Sequence, residues 1–164
     1  MKRIVIVRHA KAVPYGYEDD FNRELRRKGK EDARVLSLAL KGERVFPDLI
    51  ISSPAQRAWK TAEIFAGNLR YPVSRIMEED ELYEGLGTRD FLEIIFKLPE
   101  EVQTVFIFGH NPTVYYLVNN LVRMFNNDMP TCSTVGIDFQ ADSWAGVAAR
   151  EGKLAFQLMP RLFK

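Results

Sequence analysis

Basic side chains suited to phosphate binding occur at three separate points of this sequence. Each point follows a short apolar run, and the side chains are Arg8 with His9, then Arg57, then His110. A guanidinium keeps its charge and binds phosphate through two parallel hydrogen bonds. A neutral imidazole is a nucleophile that can accept a phosphoryl group covalently. Brought together, these residues would bind a phosphate and transfer it, because that reaction depends on positioning and on neutralising the phosphate oxygens.

The three apolar runs are predicted to be strands of one parallel sheet. They cover residues 4–7, 48–52 and 104–108. Short, uninterrupted runs of this kind are typical of strands that are buried on both faces. The carboxyl ends of parallel strands lie at one edge of the sheet, which is where ligands bind in open α/β folds. We therefore expect the basic side chains at that edge.

Two of the runs lead directly into a predicted helix start. Ser53-Pro54 and Asn111-Pro112 each combine a residue that favours the N-cap with a proline that favours the first helical position. A helix N-terminus attracts anions. Arg57 is expected in the first turn of its helix, where its side chain leans back over the strand edge. The N-termini of two helices would thus lie beside the basic side chains.

The other periodic segments complete an alternation of strands and helices. Helices are predicted at residues 25–40, 54–68, 88–97 and 112–122, and further strands at residues 71–77, 134–140 and 154–159. This pattern predicts an α/β fold, a three-layer α/β/α sandwich with a mainly parallel central sheet. The sequence has no linker or repeat, so a single domain over residues 1–164 is expected.

Charge and cysteine content exclude several classes of protein. Lys and Arg total 23 against 22 Asp and Glu, which gives a net charge of +1 and no sign of nucleic-acid binding. No apolar stretch approaches the roughly 20 residues of a membrane span. The single cysteine, Cys132, excludes an intrachain disulfide and fits a reducing compartment. We expect a cytoplasmic protein without nucleic-acid or membrane partners.

The two histidines are expected to differ in role. His9 must be neutral to attack, and nearby arginines lower a histidine pKa from its usual value of roughly 6.5. His110, protonated by an arriving phosphate dianion, would donate a hydrogen bond to it. The spacing of His, Cys and carboxylate residues matches no metal site, so neither a metal nor a cofactor is predicted.

Three motifs resemble those of the histidine phosphatase superfamily. They are Ile-Val-Arg-His-Ala at residues 6–10, Ser-Ser-Pro-Ala-Gln-Arg-Ala at 52–58 with Thr-Ala-Glu at 61–63, and Gly-His-Asn-Pro at 109–112. Within the superfamily the chain is similar to the SixA-like phosphohistidine phosphatase branch. The resemblance runs through nearly the whole chain. It implies a phosphoglycerate-mutase-like fold, with His9 as the phosphorylated nucleophile and Arg8, Arg57 and His110 around the phosphate.

The residue that protonates the leaving group is open at this point. Superfamily members that act on esters carry a glutamate in a Leu-x-Glu pattern, which Leu82-Tyr83-Glu84 matches, whereas the SixA-like branch often lacks it. An imidazole leaving group needs a proton less than an alkoxide does. Glu84, Asp20 and no acid at all are the alternatives.

Other residues are assigned to the surroundings of the phosphate. Asn111 is predicted to bind substrate, and Arg23 either binds phosphate or forms a structural ion pair. Tyr15 and Tyr17 are expected in a solvated loop, with the mouth of the pocket as the alternative.

The sequence therefore predicts a metal-independent phosphatase that works through a phosphohistidine on His9. The resemblance implies that the substrate is phosphohistidine in a protein, for example a histidine-phosphotransfer domain. No insertion is long enough for a cap domain, so the pocket is expected to be open to a bulky substrate. Hydrolysis of small phosphate esters and mutase-like phosphoryl transfer are alternatives. A non-catalytic module that binds phosphorylated ligands is a further one.

Overall fold

A six-stranded sheet forms the centre of the computed structural model, which describes residues 1–14, 16 and 19–164. Tyr15 and Tyr17 lie outside the described residues. The strands are β1 (Lys2–Arg8), β2 (Leu49–Ser52), β3 (Met77–Glu78), β4 (Thr104–Gly109), β5 (Thr134–Phe139) and β6 (Lys153–Leu158), in the spatial order β3-β2-β4-β1-β5-β6. Strands β1 to β4 are parallel, whereas β5 and β6 are antiparallel to their neighbours. The mainly parallel sheet is confirmed.

Helices cover both faces of this sheet. They are α1 (Arg27–Gly42), α2 (Gln56–Asn68), α3 (Glu81–Glu84), α4 (Thr88–Phe96) and α5 (Thr113–Leu121). Helices α1 and α2 share one apolar core with the sheet, and α3, α4 and α5 share the other. No helix of the described residues is both long and apolar enough to cross a membrane. The three-layer α/β/α sandwich is thus confirmed.

Strand β1 shows why its apolar run has no polar residue. Ile4 and Ile6 belong to the core under α4 and α5, whereas Val5 and Val7 belong to the core under α1 and α2. All four side chains are fully buried. Because successive side chains of a strand point to opposite faces, a strand covered on both faces must be apolar at every position.

The predicted helix starts at the two proline motifs are wrong by two residues for α2 and by one residue for α5. Helix α2 begins at Gln56, with Ala55 at its N-cap, and α5 begins at Thr113. The physical reason is that the expected capping side chains have other partners. Ser53 Oγ lies 2.7 Å from a histidine nitrogen, and Asn111 Nδ2 donates to a distant backbone carbonyl.

Helix α1 packs unusually close to the chain that follows β1. A Cβ atom placed on Gly29 would lie 2.1 Å from the carbonyl oxygen of Lys11, which also accepts a hydrogen bond from the Arg26 backbone N–H at 2.9 Å. Only glycine allows this approach. The segment just after Arg8 is therefore held against the start of α1.

Replacing Gly29 with alanine is expected to lower the free energy of unfolding by about 3 kcal/mol, because a backbone carbonyl must move to admit the methyl group. Gly67→Ala in α2 is the matched control. No atom lies within 4 Å of its Cβ position, and the change should raise stability by up to about 1 kcal/mol. Urea denaturation measures both values. Equal effects of the two substitutions would contradict the close packing at Gly29.

Candidate active site

Three parallel strands deliver polar residues to one edge of the sheet. Arg8 pairs in register with Gly109, and the backbone N–H of His9 donates to the Gly109 carbonyl at 3.0 Å. His110 follows directly, and its ring centroid lies 5.3 Å from that of His9. Ser53, after β2, donates its N–H to the carbonyl of Phe108. The carboxyl ends of β1, β2 and β4 therefore meet at one edge of the sheet, as the sequence predicts.

The orientation of the His9 ring follows from one hydrogen bond. Its Nδ1 lies 2.7 Å from the carbonyl oxygen of Ala10. Because a carbonyl only accepts, Nδ1 carries the proton and Nε2 carries the lone pair. The Ala10 N–H in turn donates to Thr61 Oγ1 at 3.0 Å, and the Thr61 hydroxyl donates to the Arg57 carbonyl at 2.7 Å. Helix α2 thus fixes the backbone that holds His9.

The His110 ring is held through the hydroxyl group of Ser53. His110 Nε2 lies 2.7 Å from Ser53 Oγ, which also accepts the Ala55 N–H at 3.2 Å. The hydroxyl proton is then free to be donated to Nε2, which leaves the single N–H proton of the neutral ring on Nδ1. This Nδ1 is buried and has no partner among the described residues. It is a donor available to an incoming acceptor.

Two arginines add further unpaired donors. Arg8 donates from one terminal nitrogen to the Met129 carbonyl at 3.0 Å. Arg57, which is 6% exposed, donates to the Asp20 carbonyl at 2.7 Å and to Asp20 Oδ2 at 3.1 Å. The Nε atoms of both arginines are buried and have no partner in the described part of the chain. With His110 Nδ1 they make three unpaired donors, and an unpaired buried donor is costly unless a ligand accepts from it.

Burial and charge keep both histidines neutral. Burial lowers the pKa of His9 to about 4; the hydrogen bond to Ala10 opposes this, and the positive charges of Arg57 and Arg8 add to it. Burial, followed by the neighbouring His9 and Arg57, lowers the pKa of His110 to about 3. Burial and the charge of Arg57 also lower the pKa of Arg8. A neutral His9 is the form that can act as a nucleophile.

Asp20 balances the positive charge at the mouth of the site. It forms ion pairs with Arg57 and Arg23, both at 3.1 Å, and accepts a hydrogen bond from the Tyr83 hydroxyl at 2.8 Å. Burial alone raises the pKa of Asp20, but the hydrogen bonds from Tyr83 and Arg57 and the charges of Arg57 and Arg23 hold it below its usual range. Of the two alternatives for Arg23, the ion pair is the one formed in this structure.

The remaining predicted residues differ in their distance from the histidines. Asn111 Nδ2 donates at 3.0 Å to the same Met129 carbonyl that Arg8 contacts. Glu84, the last residue of α3, is exposed, and no described hydrogen bond or ion pair involves its side chain. Its neighbour Tyr83 instead lies edge-on to His110, with 5.7 Å between the ring centroids. The structure places Glu84 outside the cluster.

Three contributing residues were not assigned to the site from the sequence. Ser53 was taken as a helix cap, Thr61 only as part of a motif, and Tyr83 only as the middle of a Leu-x-Glu pattern. Each acts through a hydrogen bond or ring contact to a residue far away in the chain, and spacing alone contains no signal for such contacts.

Side-chain NMR is expected to show that His9 titrates with a pKa of about 4 and His110 with a pKa of about 3. Both imidazoles should therefore be neutral at pH 7, with the Nδ1–H tautomer, because burial and the arginines oppose the charged form. A synthetic peptide of residues 5–13 is the control and should titrate near the usual value of roughly 6.5. A pKa near that value for either histidine in the folded protein would contradict this electrostatic description.

Comparisons with known proteins agree with the site. Residues 4–100 match the family model of the histidine phosphatase superfamily (branch 1). No curated protein matches the chain. Among solved structures, the protein histidine phosphatase SixA complexed with tungstate has 25% identity and a TM-score of 0.85, with 99% of both chains covered.

Two further solved structures are putative phosphohistidine phosphatases named SixA. The one from Agrobacterium tumefaciens has 26% identity and a TM-score of 0.80, with 97% of this chain and 98% of that chain covered. The one from Nakamurella multipartitia has 22% identity and a TM-score of 0.81, with 97% and 96% covered. The family model and the fold together confirm the assignment made from the motifs: the chain belongs to the histidine phosphatase superfamily, branch 1.

Proposed function

We propose that this phosphatase forms a covalent phosphohistidine on Nε2 of His9 and that its substrate is phosphohistidine in a protein. The observation that carries the first part is the 2.7 Å contact between His9 Nδ1 and the Ala10 carbonyl. It leaves the Nε2 lone pair as the nucleophile, at a point surrounded by cations. The fold similarity to the SixA structures supports the second part.

In the first step, His9 Nε2 attacks the substrate phosphorus. The new bond joins Nε2 to phosphorus, and the bond from phosphorus to the leaving group breaks. Nε of Arg8, Nε of Arg57 and Nδ1 of His110 are the unpaired buried donors, and they bind the equatorial oxygens whose charge must be neutralised. In the second step, water attacks the same phosphorus, the bond between Nε2 and phosphorus breaks, and its electron pair returns to Nε2. The proton of the water passes to a phosphate oxygen and leaves with the phosphate.

The charge of Asp20 and the position of Glu84 favour an imidazole leaving group over an alkoxide. Asp20 has a lowered pKa, so it is ionised at neutral pH and has no proton to give. Glu84 is exposed and outside the cluster. An alkoxide needs a proton from the enzyme. A phosphorylated imidazole that carries a proton on its other nitrogen leaves as neutral imidazole, and the usual imidazole pKa of roughly 6.5 makes that form available near neutral pH.

The partner proposed here is a phosphorylated protein, for example a histidine-phosphotransfer domain in the cytoplasm.

A second candidate substrate, a small phosphate ester, is favoured by one observation. Tyr83 contacts His110, and Glu84 is the next residue of the same short helix, so a carboxyl group that could serve as the acid for an ester adjoins a residue of the site in the chain.

Mixing the enzyme with a phosphorylated substrate and quenching rapidly is expected to trap one phosphate on His9. The phosphoryl group should be on Nε2, because Nδ1 is engaged with Ala10. The linkage should be stable to base and labile to acid, and ³¹P NMR of the digested protein distinguishes the two nitrogen isomers.

His9→Ala is expected to abolish trapping and to lower turnover by at least about 10³-fold. His110→Ala is the matched control, because it removes the other histidine and should slow trapping without preventing it. The enzyme must carry no polyhistidine tag. Turnover that survives His9→Ala, or a phosphate found on Nδ1, would overturn the mechanism.

Glu84→Gln separates the two candidate substrates. If Glu84 serves as the acid for esters, hydrolysis of an alkyl phosphate ester should fall by about 10²-fold, and hydrolysis of phosphohistidine much less, because imidazole needs no such proton. Glu81→Gln, an exposed glutamate on the same short helix, is the matched control. Steady-state rates on both substrates measure the ratio. Equal losses on both substrates would refute the leaving-group argument.

A further inference from the structure

A groove of about 500 Å³ opens beside the histidines and is not used by the mechanism above. Arg8 and Asn111 form the end nearest the histidines, and Arg161, close to the C-terminus, also lines it. Its walls mix polar and apolar surface, and the apolar part comes from the start of α5 and from the loop before β5: Pro112, Tyr115, Tyr116, Met129 and Pro130. The groove is therefore an extension of the phosphate site along the protein surface.

Hydrogen bonds connect the groove to the side chains that are proposed to donate to the phosphate. The Met129 carbonyl accepts from Arg8 and from Asn111 Nδ2, both at 3.0 Å. Because that carbonyl can only accept, the amide of Asn111 is oriented with Nδ2 toward it, and Oδ1 is the atom left over. Asn111 Oδ1 is buried and has no partner among the described residues. A phosphoryl group whose oxygens are all ionised cannot satisfy it, since those oxygens only accept; the N–H of a histidine ring or of a peptide group can.

The outer part of the groove resembles a protein-binding surface. Tyr116 is 57% exposed, and its ring stands edge-on to Tyr115 at a centroid distance of 5.6 Å. Exposed tyrosine and arginine side chains are the types that contribute most to protein interfaces. Arg161 is exposed and takes part in no described ion pair, although Asp128 also lines the groove. The groove thus offers aromatic surface, a cation and one carboxylate.

We propose that this groove binds the polypeptide segment next to the phosphorylated histidine of the substrate protein. An apolar side chain of the segment packs on Tyr116, and a carboxylate pairs with Arg161. Asn111 Oδ1 accepts an N–H from the phosphorylated histidine or its backbone. A segment with one isolated acidic residue fits better than an acidic run, because Asp128 repels further carboxylates. This inference rests on the proposed function and adds to it how a protein substrate is recognised.

The test compares two substrates that share the same phosphorylated side chain. One is a histidine-phosphotransfer domain phosphorylated on its histidine, and the other is N-acetyl phosphohistidine. The double substitution Tyr116→Ala/Arg161→Ala is expected to lower kcat/KM for the phosphoprotein by about tenfold, through KM, because only the protein extends into the groove. The loss for N-acetyl phosphohistidine should be at least about fivefold smaller. Phe96→Ala/Arg75→Ala, two residues that are also exposed but lie outside the groove, is the matched control.

Each outcome bears on one proposal. A selective loss for the phosphoprotein supports the groove as its binding site. Equal losses for both substrates would mean that the groove holds the leaving group of any small substrate, and unchanged kinetics would mean that it holds nothing; either result overturns the inference alone. Wild-type enzyme that is inert toward both phosphohistidine substrates would instead overturn the proposed function, and the inference with it.

Discussion

The hydrogen bond from His9 Nδ1 to the Ala10 carbonyl is the interaction on which the rest of the site depends. It determines which ring nitrogen keeps a lone pair, and so where a phosphoryl group can be attached. The bond needs a fixed backbone at residue 10. Thr61 provides that from α2 by accepting the Ala10 N–H, and Gly29 lets α1 pack directly against the carbonyl of the next residue, Lys11. Two helices of the same face thus constrain one imidazole ring.

Burying cations beside neutral histidines imposes a second constraint. A buried guanidinium is stable only when it is paired, and Asp20 supplies the pair for Arg57, aided by Arg23 and the Tyr83 hydroxyl. The pairing is incomplete, because Nε of Arg57 and Nε of Arg8 have no partner among the described residues. Asp20 therefore offsets part of the positive charge of the arginines, and the site still has hydrogen-bond donors for an anion. Burial, together with the positive charges of Arg57 and Arg8, lowers the pKa of His9 and keeps it in the neutral form that can act as a nucleophile.

The chemistry of the leaving group links this electrostatic arrangement to the choice of substrate. A site whose nearest carboxylate is ionised suits a leaving group that brings its own proton, and a protonated phosphoimidazole is such a group. We propose that the groove beyond Arg8 and Asn111 takes the polypeptide that is attached to that imidazole. In that proposal, phosphate binding and recognition of the carrier protein share one carbonyl, that of Met129, which accepts from both Arg8 and Asn111.

The sequence by itself determined the fold class and the family, and it predicted that Arg8, His9, Arg57 and His110 lie together at one edge of the sheet. Uninterrupted apolar runs are typical of strands covered on both faces, and the residues that follow such parallel strands meet at one edge of the sheet. It did not determine the helix starts, the exposed position of Glu84, or the contributions of Ser53, Thr61 and Tyr83. Those depended on tertiary structure, because a serine or asparagine after a strand can cap its own helix or bind a distant partner. Only the packing of β2, β4 and the loop before β5 decides between these two local options.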